Sequence, residues 1–302
     1  VIAITGRHAQ PMQYRNAYQE VAHDPLFAAV TKSQWVVETP DQLPLAIRQA
    51  FRASTTGTPR PVHIDLAGHT GEVLAAQTRA FDTTAEPEYG AIPALRPQPD
   101  PVAIARAATA IDKAERPVIV ADRGVTVSGG GAAVSALAKR IGAMVVCGLD
   151  AKGQLLEGDP LYGGVVGTYG ASSANHIVAD ADLVLFAGSG TADMTTVNWR
   201  LPREGTAVVQ IDLDPLELGR NYAGTIGIQS DVKAGLEALA AACAKQPRKS
   251  WLEQGAKHIA DWQRVLDAEP AGDHPLRPNV LCQLLTEHLP KDAIFLSDTG
   301  WS

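Results

Sequence analysis

Several short segments set acidic, small and hydroxyl side chains where an open parallel sheet binds its ligands. Asp122-Arg123-Gly124 follows the apolar run 117–120, Gly188-Ser189-Gly190-Thr191 follows 183–186, and Asp212-Leu213-Asp214-Pro215 follows 207–211. Gly167-Thr168-Tyr169-Gly170 precedes one helical stretch and Asp231 opens another. In such sheets the crevice beyond the carboxyl ends of the strands favours anions, because unpaired backbone N–H groups and helix N-termini converge there. Taken together, these residues point to a nucleotide-sized ligand. Taken singly, each also fits a turn glycine or a helix-capping aspartate.

Other chemistries find less support. There is no G-x-S-x-G and no H-E-x-x-H, and Gly129-Gly130-Gly131 lacks the spacing of a dinucleotide fingerprint. The eight histidines are scattered without ligand spacing, so each is expected on the surface or as a hydrogen-bonded core residue, and no metal ligands are assigned. Asp212 and Asp214, two apart at a strand end, suit ribose hydroxyls or a helix cap better than a general acid/base pair. Cys147, Cys243 and Cys282 are odd in number and widely spaced, which argues against a disulfide framework and suggests a reducing cytoplasm.

The 302 residues carry a net charge of −7, so no basic field is available to gather nucleic acid or an anionic membrane. A hydrophobic share of 45% and a charged share of 20% describe an ordinary globular chain. Its apolar runs are too short to span a bilayer.

The elements that must carry these residues alternate between strand and helix. An opening strand (1–6) is followed by a helical patch over 17–27, a β-branched run at 35–37, a helix over 40–54 with Leu43, Ile47 and Ala50 on one face, and a strand at 62–66. Periodicity stops between 68 and 100, where prolines accumulate, which marks a linker. Residues 101–245 then read as helix 101–113, strand 117–120, helix 128–142 with Val134, Leu137, Ala138 and Ile141 inward, and strand 144–146. A glycine-rich stretch, helix 171–181, strands 183–186 and 207–211, a weaker strand and helix 231–245 complete the unit. Short apolar strands without strict alternation, separated by helices, predict a doubly wound parallel α/β fold. Helices over 251–267 and 279–289 form a connector (246–290), and 293–296 reads as a further strand. The chain opens and closes on strands without caps, so it reads as an internal segment of a longer protein.

Ile211-Asp212-Leu213-Asp214-Pro215-Leu216-Glu217-Leu218-Gly219-Arg220-Asn221, followed by Ser230-Asp231-Val232-Lys233, resembles the end of the central domain of acetolactate synthase-like, thiamine diphosphate-dependent enzymes. Ile4-Thr5-Gly6, Ala17-Tyr18-Gln19-Glu20, Val30-Thr31-Lys32, Ala50-Phe51 and Pro61-Val62-His63-Ile64-Asp65 follow the order and spacing of the second half of that family's pyrimidine-binding domain. Asp298-Thr299-Gly300 is similar to the opening turn of the diphosphate-binding domain.

The resemblance implies the C-terminal half of a pyrimidine-binding domain over 1–67, a linker over 68–100, a central nucleotide-binding-like domain of the deoxyhypusine-synthase-like NAD/FAD-binding fold over 101–245, the connector, and the first strand of the diphosphate-binding domain over 291–302. It implies a 2-keto acid decarboxylase or carboligase using thiamine diphosphate and Mg2+, whose active site forms between two subunits of a homodimer or homotetramer. The family's catalytic glutamate and its magnesium motif match nothing in this sequence, so the segment alone is expected to be inactive. Tyr18 and Gln19 match an aromatic-Gln pair that lines the reaction pocket, and Asp298, Thr299 and Gly300 lie on the cofactor side.

Asp122, Arg123, Gly124, Gly167, Thr168, Gly188, Ser189, Asp212 and Asp231 stand where the synthases contact a non-redox FAD. Thr58, Gly190 and Met194 replace arginines of the flavin-binding members, and Gly68 replaces a lysine. Loss of these cations removes charge-assisted bonds to a pyrophosphate and implies a divergent member with an empty, ADP-like or otherwise held nucleotide site. The alternative is a stand-alone nucleotide-binding or regulatory module.

Overall fold

The structure, a computed structural model, describes residues 1–68, 82–155, 158–268 and 276–298. Two all-parallel sheets organise them.

The first sheet has the order β1-β3-β2, with β1 at Ile2–Arg7, β2 at Gln34–Val37 and β3 at Val62–Ala67. The parallel register sets Thr5 beside Asp65 and Ala3 beside His63. Between β1 and β2 lies α1 (His23–Ala28), and α2 (Leu43–Thr55) returns the chain to β3. A Thr39/Gln42 capping box turns the chain into α2. The buried face of α2 is Ala46, Ala50 and Ser54, while Ile47 is exposed. The expected Leu43-Ile47-Ala50 stripe is thus rotated. Small side chains let the helix sit close to the sheet, and Ile47 and Phe51 turn toward a groove lined by residues 82–87.

The helix expected over 17–27 forms only as α1. Upstream, Glu20 accepts hydrogen bonds from the backbone N–H groups of Tyr14 (2.6 Å) and Ala17 (2.9 Å), and Tyr14, Asn16 and Gln19 take left-handed φ values of 62°, 54° and 60°. A carboxylate that captures local amides in this way competes with helical pairing.

The second sheet has the order β6-β5-β4-β7-β8-β9. Its strands are β4 (Pro117–Ala121), β5 (Met144–Cys147), β6 (Tyr162–Val165), β7 (Leu183–Ala187), β8 (Ala207–Asp212) and β9 (Ile226–Gln229). The chain runs outward from β4 to β6 and then resumes on the other side of β4 with β7. A topological switch point therefore lies between β4 and β7, the place where doubly wound sheets open a ligand crevice.

Successive residues of each strand face opposite layers. Ile119, Val145, Leu185, Val209 and Ile211 pack against α3 (Pro101–Lys113), α5 (Gly131–Ile141) and α8 (Val232–Ala242). Val118, Val120, Met144, Val146, Val184 and Phe186 pack toward α6 (Ser172–Asp180) and α9 (Lys249–Asp267), and a single turn, α7 (Asp193–Thr196), follows β7. The inward face expected for 128–142 is buried as read, Val134, Leu137, Ala138 and Ile141 being at most 1% exposed.

That helix nevertheless begins later. A short α4 (Arg123–Ser128) precedes it and ends on Gly129, whose φ of 64° only glycine adopts without strain. The glycine-rich stretch contains β6, which apolar periodicity alone did not reveal.

Residues 82–100 form no helix or strand beyond a single 3-10 turn at Pro87–Gly90, yet they are tied to both units. Ala94 N–H reaches Thr55 O, Arg52 pairs with Glu86 and stacks over Tyr89, and Arg96 bonds Asp231. Beyond α9, α10 spans Pro278–His288. The strand expected over 293–296 is not formed among the described residues: Ile294, Phe295 and Leu296 are exposed, and a strand exists only when another supplies its ladder. Among the described residues no helix is long and apolar enough to cross a membrane.

Candidate functional site

The switch point holds most of the central residues singled out from sequence. Gly124 N–H donates to Gly188 O (2.8 Å), and the two backbones touch so closely that a Cβ on Gly124 would lie 2.5 Å from Gly188 Cα. On one side of this contact is a cavity of about 180 Å3, lined by Arg123, Gly124, Gly188, Asp212 and Asp231 together with Thr58, Arg60, Gly190, Asp214 and Glu217. On the other side is one of about 270 Å3, lined by Asp122, Arg123, Gly188, Asp150, Tyr169 and Met194 among others.

Several of the expected ligand residues are engaged within the protein. Asp122 caps α4 through Arg123 N–H (2.9 Å), and its other oxygen accepts from Ser189 Oγ (2.7 Å) and Thr195 Oγ1 (3.4 Å). Burial pushes the Asp122 carboxyl above its ordinary pKa, while the Ser189 and Arg123 bonds pull it back. Asp231 caps α8 through Ala234 N–H (3.0 Å) and pairs with Arg96 (3.1 Å). Gly167 and Thr168 line neither cavity. Gly167 is clasped by Asn175 and Thr168 N–H bonds Met194 O (2.8 Å), so these two residues pack one loop onto the next.

Asp212 faces the smaller cavity beside Asp214 and Glu217. Burial first, then those neighbouring carboxylates, push it up to about 6.

This geometry does not fit a flavin dinucleotide. The smaller cavity, of about 180 Å3, lies next to the one of about 270 Å3 and shares Arg123, Gly188 and Gly190 with it. Its charged lining is Asp212, Asp214, Glu217 and Asp231 against Arg60 and Arg123, an excess of carboxylates where a pyrophosphate needs cations. Thr58 and Gly190, for which the resemblance implied lost arginines, line this same cavity.

A second site lies at the carboxyl end of the first sheet. A cleft of about 660 Å3 is lined by Gly6, Arg7, His8, Gln13, Gln19, His23, Asp65 and neighbouring residues. Gln19 therefore lines a cleft, whereas Tyr18 does not and is exposed. Beneath the cleft, Thr5 Oγ1 donates to Asp65 Oδ1 (2.7 Å), His23 Nδ1 lies 2.9 Å from the same oxygen, and His63 Nε2 lies 2.7 Å from Thr5 Oγ1. Phe27 stacks on His63 at 3.8 Å. Burial pushes the His63 pKa down.

Reading the sequence alone missed this cluster, because 58 residues separate Thr5 from His63 and 42 separate His23 from Asp65. Its only local sign is the His63-x-Asp65 alternation on one face of a strand. Asp298 is exposed, and Thr299 and Gly300 lie outside the described residues. No group of three or more His, Cys, Asp or Glu side chains is placed for a metal among the described residues, so those residues do not by themselves supply a magnesium site.

The family model for the thiamine pyrophosphate enzyme central domain matches residues 104–239. A probable acetolactate synthase large subunit of Methanocaldococcus jannaschii is 31% identical over 99% of this chain and 51% of its own length. The acetolactate synthase isozyme 1 large subunit of Escherichia coli is 29% identical over 99% of this chain and 51% of its own. The acetolactate synthase large subunit of Corynebacterium glutamicum is 27% identical over 99% and 48%. The chain spans about half the length of the curated relatives it matches. The central part of the chain thus matches the central domain of thiamine pyrophosphate enzymes, and the chain as a whole is similar along 99% of its length to acetolactate synthase large subunits.

Proposed function

We propose that the protein takes part in thiamine diphosphate- and Mg2+-dependent decarboxylation of a small 2-keto acid, with or without transfer of the remaining fragment to a second carbonyl, as a homo-oligomer. The observation that carries this reading is the match to acetolactate synthase large subunits along 99% of the chain, through the cleft as well as the central sheet. The cofactor supplies an electron sink for loss of CO2. What this chain contributes is the cleft beside Gln19, whose amide can orient a carbonyl or carboxylate. No step is assigned through magnesium, since the described residues lack its donor set.

A stand-alone nucleotide-binding module is not favoured. That reading accounts for the second sheet alone, and the excess of carboxylates in its cavity speaks against a pyrophosphate. The test is CO2 release from a panel of 2-keto acids by the whole protein that carries this chain, with thiamine diphosphate and Mg2+ present, and with the cofactor omitted. Cofactor-dependent release supports the proposal, and its absence with every acid removes it. Gln19→Ala is expected to raise KM or lower kcat; unchanged kinetics would take Gln19 out of the pocket.

A further inference from the structure

The hydrogen-bond network below the cleft fixes which nitrogen of each histidine carries its proton. A carboxylate only accepts, so His23 Nδ1, 2.9 Å from Asp65 Oδ1, is a donor. Thr5 has one hydroxyl proton and gives it to Asp65 Oδ1 at 2.7 Å, so its oxygen must accept from His63 Nε2, also at 2.7 Å. His63 therefore carries a proton on Nε2, and its Nδ1 lies 3.4 Å from Gln34 Oε1. His23 is the opposite tautomer, Nδ1–H, and its Nε2 lone pair has no partner among the described residues. Asp65 is almost fully buried, with Arg7 Nε 3.8 Å from its second oxygen. That Nε–H is itself buried and without a hydrogen-bond partner among the described residues. A buried carboxylate holding one nitrogen of an imidazole that lines a cleft is an arrangement that makes histidine an oriented acid–base group.

We propose that His23 exchanges a proton with the carbonyl oxygen of a 2-keto acid bound in this cleft, Asp65 acting as the positioning residue. The inference rests on the function proposed above and names the proton-transfer group of that site. When a carbon nucleophile adds to the carbonyl carbon, the C=O electron pair moves to oxygen and takes the Nε2 proton of a His23 protonated on both nitrogens, which is left as the neutral Nδ1–H tautomer. The reverse step returns it to Nε2. Asp65 keeps its hydrogen bond and balances the imidazolium. The charged or titratable groups around His23 are Arg7 on β1, His63 and Asp65 on β3, Asp24 on α1, and His8 and Glu20 on the loop between β1 and α1. All six are left in place by substitution at His23.

The test uses 15N-labelled protein and the long-range imidazole 1H–15N spectrum near neutral pH. His23 is expected to carry its proton on Nδ1 and His63 on Nε2, and pyruvate is expected to shift the His23 Nε2 signal while leaving His63 unmoved. Asp65→Asn should abolish both the His23 tautomer preference and its response. A neutral His23 whose single proton sits on Nε2, or a His23 signal indifferent to both pyruvate and the bulkier phenylglyoxylate, overturns the inference.

A parallel assay follows cofactor-dependent CO2 release by the whole protein that carries this chain. His23→Gln, checked for an unchanged melting curve, is expected to lower kcat on the order of 100-fold and to flatten one limb of its pH profile. If the wild type releases CO2 and His23→Gln keeps both kcat and pH profile, this inference fails and the proposed function stands. If pyruvate moves His23 but no 2-keto acid yields CO2, the ligand site stands and the proposed reaction falls.

Discussion

Gly188 and Gly129 form a matched pair that isolates the backbone contact at the switch point. Their φ values are 65° and 64°, so alanine at either position meets the same left-handed strain, about 1–2 kcal/mol. Their surroundings differ. A Cβ on Gly129 meets nothing within 4 Å, whereas one on Gly188 falls 2.4 Å from Gly124 Cα and 2.8 Å from Gly124 N. The obstacle is backbone in the first turn of α4, hydrogen-bonded to Gly188 through Gly124 N–H, which cannot rotate away as a side chain would. Forcing it apart adds about 1–3 kcal/mol. Gly129→Ala is thus expected to cost about 1–2 kcal/mol and Gly188→Ala about 2–5 kcal/mol, a large part of a typical domain's 5–15 kcal/mol or so. Urea denaturation with unchanged slope measures both. If Gly188→Ala proves no more destabilising than Gly129→Ala, the close approach of α4 to the end of β7 is not what requires glycine there.

Ser189→Ala removes the 2.7 Å donor to Asp122 and is expected to cost about 1–3 kcal/mol in chemical denaturation, a loss that shrinks as the pH falls and Asp122 takes up a proton. Asp212, raised to about 6 in the folded chain from an ordinary 3.8, binds its proton more tightly when folded, so the stability it contributes is complete below about pH 4 and is lost as the pH rises through 6. Asp212→Asn is therefore expected to be more stable than the wild type at pH 7 and to lose that advantage by pH 4, as read by melting temperatures across that range. Trp251, 3% exposed, donates from Nε1 to Pro117 O at 2.9 Å. Trp251→Phe should cost about 1–2 kcal/mol and loosen α9 from the sheet, seen as faster amide exchange in α9 with that of α5 unchanged.

The doubly wound sheet and the helices that cover it were legible in the sequence, because apolar period, proline at helix starts and glycine after helix ends are local signals. The Val134-Leu137-Ala138-Ile141 face, the strand-end acids and the family motifs were read from neighbours in the chain, and the structure sets most of the expected central residues around the switch point. Local reading stopped where one residue's partners were remote. Glu20 reached back to two amides and kept Tyr18 and Gln19 out of a helix, and Asp122 and Asp231 proved to be occupied as caps and ties.

The cluster of Thr5, His23, His63 and Asp65 depended on tertiary structure altogether. Parallel pairing of β1 with β3 puts Thr5 beside Asp65, the alternation of β3 turns His63 to the same face, and α1 lays His23 over both. Residue types and local periodicity are written along the chain, but register between strands far apart in sequence is set by which faces can be buried together, and that register decides which side chains meet.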